Sequence, residues 1–75
     1  LLNMLFKVID AKSKPIKNAT IIAKNNLNQV QQLITDDNGY ATLLDIEEGS
    51  NVEVDVLHDK KKIKKTVTIT TNKNL

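Results

Sequence analysis

Apolar and other residues alternate along several short runs of this chain, and period-two alternation of this kind predicts β-strands. The clearest run places a β-branched residue at every second position, which suits a pleated surface: Val52, Val54 and Val56. A similar alternation near the amino-terminal end involves Met4, Phe6 and Val8. The pattern predicts strands over residues 4–10, 16–24, 30–35, 40–44, 52–57 and 63–71.

Polar runs rich in Asn, Asp, Gly and Pro separate these strands and predict turns. Pro15 cannot donate a backbone hydrogen bond, so the second strand is expected to start after it. Asn38 and Gly39 are the pair that most readily takes positive φ at both positions, which predicts a two-residue hairpin turn between the third and fourth strands. The Asn residues of 25–28 also favour a turn, although a helix over residues 25–33 is an alternative.

Six or seven short strands without an amphipathic helix predict an all-β fold with two packed sheets, a small β-sandwich. The chain of 75 residues is long enough for a single domain spanning residues 1–75. Its apolar residues are mainly Val, Ile and Leu, with only Phe6 and Tyr40 aromatic. They are enough for one two-layer core and too few for an internal ligand cavity. Ile46 is expected to close one end of that core.

The composition excludes several classes of protein. The chain has no Cys, so it can form neither a disulfide framework nor a thiolate metal site. It contains no apolar run of about 18 residues, so no transmembrane segment is predicted. It begins with Leu and shows no signal-peptide pattern. We therefore interpret it as a domain excised from a larger protein.

The net charge of +2 is unevenly distributed. Residues 1–56 hold five Lys and eight carboxylates, whereas residues 57–75 hold six Lys and one Asp. Five of these lysines form a cluster, here called the lysine hairpin: Lys60, Lys61, Lys62, Lys64 and Lys65. Such a cluster could bind an anionic polymer, whether nucleic acid, wall polymer or lipid surface. The alternative is a solvated hairpin that discourages edge pairing of strands. Because the chain lacks Arg and base-stacking aromatics, nucleic acid is the less favoured partner.

No residue pattern in the chain predicts catalysis, a cofactor or a metal site. His58 and Asp59 stand together without the further ligands that zinc needs. The acidic start of the 36–39 turn lacks the later positions of a calcium loop, so Asp36 is expected to bind backbone N–H groups of its own turn. Glu47 and Glu48 are adjacent and point apart, which does not suit glycoside hydrolysis. The domain is therefore predicted not to be an enzyme.

Four segments in order give the chain a family resemblance. They are Val8-Ile9-Asp10, the stretch from Lys14-Pro15-Ile16 to Ile21, Thr35-Asp36-Asp37-Asn38-Gly39, and Ile46-Glu47-Glu48-Gly49. The chain resembles the carboxypeptidase regulatory-like, or transthyretin-like, domain family, and it is also similar to collagen-adhesin B-type and invasin-like bacterial immunoglobulin domains. The resemblance implies a small Ig-like or transthyretin-like β-sandwich. The chain departs from the family in two places: the first loop has Lys12-Ser13-Lys14 where the family usually has a Gly, and Ala41 stands where the family often has an aromatic residue.

Domains of this family are non-catalytic modules, so the resemblance implies protein binding or spacing within a larger bacterial surface or secretion-apparatus protein. A cell-surface, periplasmic or secreted location would follow. The expected contact residues are apolar side chains on outward strand positions: Leu5, Ile9, Ile22 and Leu57. In addition, the adhesin resemblance suggests an intramolecular isopeptide bond between Lys7 and Asn72, assisted by Glu53 or Asp55. The outward position of Lys7 argues against that bond.

Overall fold

The structure, a computed structural model, describes residues 1–59, 61–62 and 67–73, the last two segments by their backbone alone. Within these residues the chain contains strands and turns and no helix. The strands, in chain order, are β1 (Leu2–Val8), β2 (Thr20–Asn25), β3 (Val30–Ile34), β4 (Tyr40–Ile46), β5 (Val52–His58), β6 (Lys61–Lys62) and β7 (Val67–Lys73).

The strands form two antiparallel sheets. The three-stranded sheet has the order β4-β1-β7, and the four-stranded sheet has the order β3-β2-β5-β6. The prediction of an all-β fold with two sheets is thus confirmed. Five strands, β1 to β5, are described with their side chains, against the six or seven strands predicted, and β6 and β7 are placed by backbone only.

The core lies between the two sheets and is built largely from alternate residues of β1, β2, β4 and β5. Its largest fully buried apolar side chains are Phe6 and Val8 of β1 and Ile21 of β2. The loop before β2, strand β2 itself and strands β4 and β5 complete it with Ala19, Ala23, Ala41, Leu43, Ile46 and Val56. Side chains at the intervening positions lie on the two outer faces, as the alternation predicted.

A β-bulge lets β4 extend beyond its predicted end and bury Ile46. Met4 of β1 lies opposite Leu43, but Leu2 lies opposite Ile46, so β4 has one more residue than β1 over this stretch. Asp45, with a φ of 57°, takes the left-handed conformation there. The extra residue reverses the alternation of faces, so Ile46 points into the core, as predicted for this residue.

The predicted two-residue hairpin between the third and fourth strands is wrong in two respects. The turn has three residues, 37–39, and of these only Gly39 has positive φ. The Gly39 N–H donates to the Asp36 carbonyl at 3.0 Å, and the Asp36 N–H donates to the Tyr40 carbonyl at 2.8 Å. Beyond this turn the strands separate, because β3 pairs with β2 whereas β4 pairs with β1. The turn therefore carries the chain from one sheet to the other.

The predicted second strand begins too early. Residues 16–19 form a loop, and β2 starts at Thr20. Thr35, which is 2% exposed, holds this loop: its hydroxyl donates to the Ile16 carbonyl at 2.7 Å and accepts from the Ala19 N–H at 2.9 Å. These side-chain bonds take the place of part of a strand ladder. The helical alternative over residues 25–33 is also wrong, since a turn and β3 occupy it.

The remaining differences from the predicted strands are small shifts at the ends. Strand β1 covers Leu2–Val8 rather than residues 4–10, and Ile9 makes only an isolated bridge with Pro15. The last strand is predicted over residues 63–71. In the structure, β7 (Val67–Lys73) covers the second part of that range and continues to Lys73. Residues 63–66 lie outside the described residues.

Candidate interaction face

The outer face of the four-stranded sheet brings together apolar residues from β2, β3 and β5. Strand register places Ile34, Thr20 and Leu57 in one row across the three strands, and Gln32, Ile22 and Asp55 in the next. Diagonal neighbours on a sheet face are within reach of long side chains. Ile22, Ile34 and Leu57 thus form a continuous apolar group, here called the β2–β3–β5 face.

Exposure distinguishes the members of this face. Ile34 is 62% exposed, whereas Ile22 and Leu57 are half-buried. Val30, on the same side of β3 as Ile34, is 58% exposed and extends the face. Single exposed apolar residues are ordinary on protein surfaces, but contiguous ones point to a covered surface. The β3 residues therefore contribute the most accessible apolar area of this face.

Charged residues border the β2–β3–β5 face on one side. In the row beyond Ile22, Lys24 of β2 lies between Val30 and Glu53, and its Nζ is 3.8 Å from the Glu53 carboxylate. Both side chains are largely exposed, so the pair contributes little to stability. With Asp55 beside Ile22, the face thus combines apolar residues with charged ones, as protein-binding surfaces commonly do.

The four predicted contact residues do not form one surface. Ile22 and Leu57 share the β2–β3–β5 face, but Leu5 lies on the outer face of the other sheet, between Thr42 and Thr70 in the register. Ile9 follows the end of β1. All four are half-buried rather than exposed. Leu5 and Ile9 therefore lie apart from the β2–β3–β5 face, and a binding role for the four residues stays a prediction.

Sequence reasoning missed Val30 and Ile34, although a signal was present. They lie four residues apart in β3, so they share a face with Gln32 between them, while Leu33 packs against the core. The two Gln residues interrupt the apolar run and made this strand look polar. The spacing places both residues on one side of β3, and the packing of Leu33 against the core makes that side the outer one.

The lysine hairpin lies mostly beyond what the structure describes. Lys60, Lys64 and Lys65 are outside the described residues, and Lys61 and Lys62 are placed by their backbone only. That backbone forms β6, which pairs with Leu57 and His58 at the edge of the four-stranded sheet. The anionic-polymer hypothesis stays a prediction.

The candidate chemical groups have structural roles in the described residues. Asp36 Oδ1 accepts from the N–H groups of Asn38 and Tyr40, both at 2.9 Å, which confirms its predicted place in the turn. His58 Nδ1 lies 3.7 Å from the Asp59 carboxylate at the surface. No group of three or more His, Cys, Asp or Glu residues that could hold a metal ion occurs in the described part of the chain.

The geometry separates Lys7 from the two carboxylates expected to assist an isopeptide bond, while the side chain of Asn72 lies outside what the structure describes. Lys7 lies on the outer face of the three-stranded sheet, with its Nζ 5.2 Å from the centre of the Tyr40 ring. This distance is typical of a cation–π contact. Glu53 and Asp55 lie on the outer face of the opposite sheet. They are therefore in no position to assist a reaction of Lys7.

A cavity of about 270 Å³ lies at one end of the sandwich, beside the turn that joins β2 to β3 and the connection from β4 to β5. Its inner wall is formed by the buried residues Ala23, Leu43 and Ile46. Exposed polar residues, such as Gln31 and Glu47, form its rim. It is a surface cavity below the usual size of a ligand pocket.

No helix in the described segments is long and apolar enough to cross a membrane. Comparison of the chain with protein-family models, with curated proteins and with solved structures gave no match.

Proposed function

We propose that this domain is a non-catalytic interaction or spacer module that holds a partner protein or a neighbouring domain through the β2–β3–β5 face. The observation that carries the proposal is the juxtaposition of Ile22, Ile34 and Leu57 on one outer sheet face, with Ile34 more than half exposed. An apolar group of this kind gains free energy when it is covered, at roughly 25 cal/mol per Å² of apolar surface.

The wider setting rests on the sequence resemblance. A transthyretin-like or carboxypeptidase regulatory-like sandwich of six or seven strands would place the domain within a larger bacterial protein, at the cell surface, in the periplasm or in a secretion apparatus. The two-sheet architecture is compatible with that family. Domains of one fold serve many roles, so the contact face rather than the fold defines the proposed role.

The proposal is tested by site-specific photocrosslinking in the native full-length protein in its own cells. A photoreactive phenylalanine analogue replaces Ile34 in one variant and Thr42, on the outer face of the other sheet, in the control. We expect a discrete adduct from position 34 and none from position 42. Adding Ile22→Lys should abolish that adduct, because it places a charge in the centre of the buried contact.

The lysine hairpin provides the competing function and the contrary outcome. If the interaction depends on anionic polymer, Lys-to-Gln changes at positions 60, 61, 62, 64 and 65 should remove it while Ile22→Lys leaves it intact. Retention on immobilised heparin or polyphosphate above about 0.5 M salt would also favour this alternative, since screening weakens non-specific binding strongly at such concentrations. Either result would overturn the β2–β3–β5 face as the principal contact.

A further inference from the structure

The edge of β3 presents backbone hydrogen-bonding groups to solvent. At the two ends of the β2–β3 ladder, Asn25 N–H donates to the Gln29 carbonyl and Thr35 N–H donates to the Ala19 carbonyl. Residue pairs along an antiparallel ladder alternate between hydrogen-bonded and non-hydrogen-bonded. Counting from these two ends, the backbone groups of Gln31 and Leu33 are the ones that bond to β2. The N–H and C=O groups of Val30, Gln32 and Ile34 therefore point away from the sheet.

The neighbouring edge, formed by β4, is largely covered. The first backbone groups of β4 that point outward are those of Tyr40. Its N–H donates to Asp36 Oδ1, and its carbonyl accepts from the Asp36 N–H. Further along, the Leu44 carbonyl accepts from Gln31 Nε2 at 3.2 Å. Among the residues that the structure describes, none covers the edge of β3 in this way, and the strand contains no charge, Pro or bulge of the kind that normally protects an edge.

The sequence of β3 is complementary to itself in antiparallel orientation. Centred on Gln32, a second β3 would place Val30 opposite Ile34 of the other copy and Gln32 opposite the same residue. This register joins all three residues whose backbone groups point outward, and each pair can exchange both hydrogen bonds. It also sets β-branched residues against each other and amide against amide, with no like charges opposed.

We propose that β3 is a self-association site at which two copies of this chain join by antiparallel β3–β3 pairing. The two-fold axis of this dimer passes between the two Gln32 residues. The two four-stranded sheets would then form one continuous sheet. The five-residue strand is about 17 Å long, so the contact is smaller than a standard protein interface. The dimer should therefore be weak, with a dissociation constant of about 0.1–1 mM. This inference concerns a sheet edge and does not depend on the partner of the β2–β3–β5 face.

The first test is sedimentation velocity of the purified domain over a range of concentrations. We expect the weight-average mass to rise toward that of a dimer, and Gln32→Pro to reduce dimerisation at least tenfold because it removes the central outward N–H. Thr42→Pro is the matched control, since the N–H of Thr42 also points outward, but on β4. A wild-type chain that stays monomeric at millimolar concentration would overturn the proposal.

A second test traps the pair covalently and does not require a stable dimer. The chain has no Cys, so Gln32→Cys introduces a single thiol beside its own copy, at a separation that a disulfide can span. Under mild oxidation, we expect it to form disulfide-linked dimer at least tenfold faster than Thr42→Cys. Equal rates would refute β3–β3 pairing, and so would a dimer that Gln32→Pro leaves intact. Partner crosslinking at Ile34 that persists in Gln32→Pro would show that the two contacts are separate.

Discussion

Thr35 is a buried hydroxyl whose bonds hold a loop in place of a strand. Its side chain bridges the Ile16 carbonyl and the Ala19 N–H, and its backbone N–H donates to the Ala19 carbonyl at 2.9 Å. A hydroxyl is well suited to this site because it donates and accepts at once. The Thr of the Thr-Asp-x-x-Gly motif thus has a physical explanation that involves no ligand.

Replacing Thr35 by Val should destabilise the domain by about 2–3 kcal/mol, because Val has nearly the same shape but leaves the Ala19 N–H and the Ile16 carbonyl without their partner. Thr35→Ser keeps the hydroxyl and should cost about 1 kcal/mol for the lost methyl group. Urea denaturation followed by far-UV circular dichroism measures both. Equal losses would show that packing, rather than hydrogen bonding, gives Thr35 its importance.

Gly39 and Gly49 have similar backbone conformations and different surroundings. Their φ angles are 79° and 83°, both in the region that favours glycine. A Cβ on Gly39 would lie 2.6 Å from the Val8 carbonyl oxygen, whereas a Cβ on Gly49 would meet nothing within 4 Å. The contact at Gly39 arises because its carbonyl accepts from the Val8 N–H at 2.9 Å, which ties the turn to β1.

Gly39→Ala should therefore destabilise the domain by more than about 3 kcal/mol, since backbone strain and a backbone clash add. Gly49→Ala carries the strain alone and should cost about 1 kcal/mol. The urea midpoints of the two variants give the comparison directly. A difference below about 1 kcal/mol would mean that the 36–40 turn moves away from β1 at little cost.

At the scale of elements, one turn geometry occurs three times, at residues 10–14, 25–29 and 36–40. Each begins with Asp or Asn, whose Oδ1 accepts from the N–H groups two and four residues later. In each, the fourth residue has positive φ and donates its N–H to the carbonyl of the first. The fourth residues are Ser13, Asn28 and Gly39, so Gly fills this position only once.

Ser13→Gly should stabilise the domain by up to about 1 kcal/mol, because Ser13 has a φ of 63° and Gly removes the left-handed strain. Ser50 provides a control, since its own φ is not positive. Ser50→Gly should destabilise the domain slightly, because Gly raises the entropy of the unfolded chain. Thermal unfolding of both variants checks the prediction, and a loss of stability in Ser13→Gly would contradict it.

These turns also show how far the sequence determines the fold. Alternation predicted most of the strands and which residues face the core, because period two is a local property. It could not predict which strands pair. The turn at residues 25–29 joins two strands of one sheet, whereas the turn at 36–40, with the same bonds, crosses between sheets. What differs is the docking of Gly39 on β1, a contact between residues distant in sequence.

The candidate face was predictable to a similar extent. The sequence identified Ile22 and Leu57 as outward, and the register now shows that they share a sheet with Ile34. Leu5 was equally outward in sequence and lies on the opposite side of the molecule. Local alternation identifies the outward side of a strand, but only the tertiary pairing decides which outward residues become neighbours.

At the scale of the whole molecule, the first strand of the chain pairs with the last one described. Strand β1 lies between β4 and β7, and Leu2 pairs with Lys73 while Val8 pairs with Val67. The buried residues Phe6 and Val8 therefore belong to a strand that gains one neighbour only when the far end of the chain is in place. Contacts of such wide sequence separation must overcome a large loss of chain entropy before they stabilise the fold.

Refolding should consequently take milliseconds to seconds, which is slow for a small domain. Stopped-flow dilution from urea can follow it through the intrinsic fluorescence of Tyr40, since the chain has no Trp. Inserting two Gly residues after Gly49 is a suitable control, because it lengthens a surface turn where closure entropy depends weakly on length. The insertion should change the refolding rate only a few-fold. Refolding within tens of microseconds, or a hundredfold slowing by the insertion, would show that local turns rather than β1–β7 closure determine the rate.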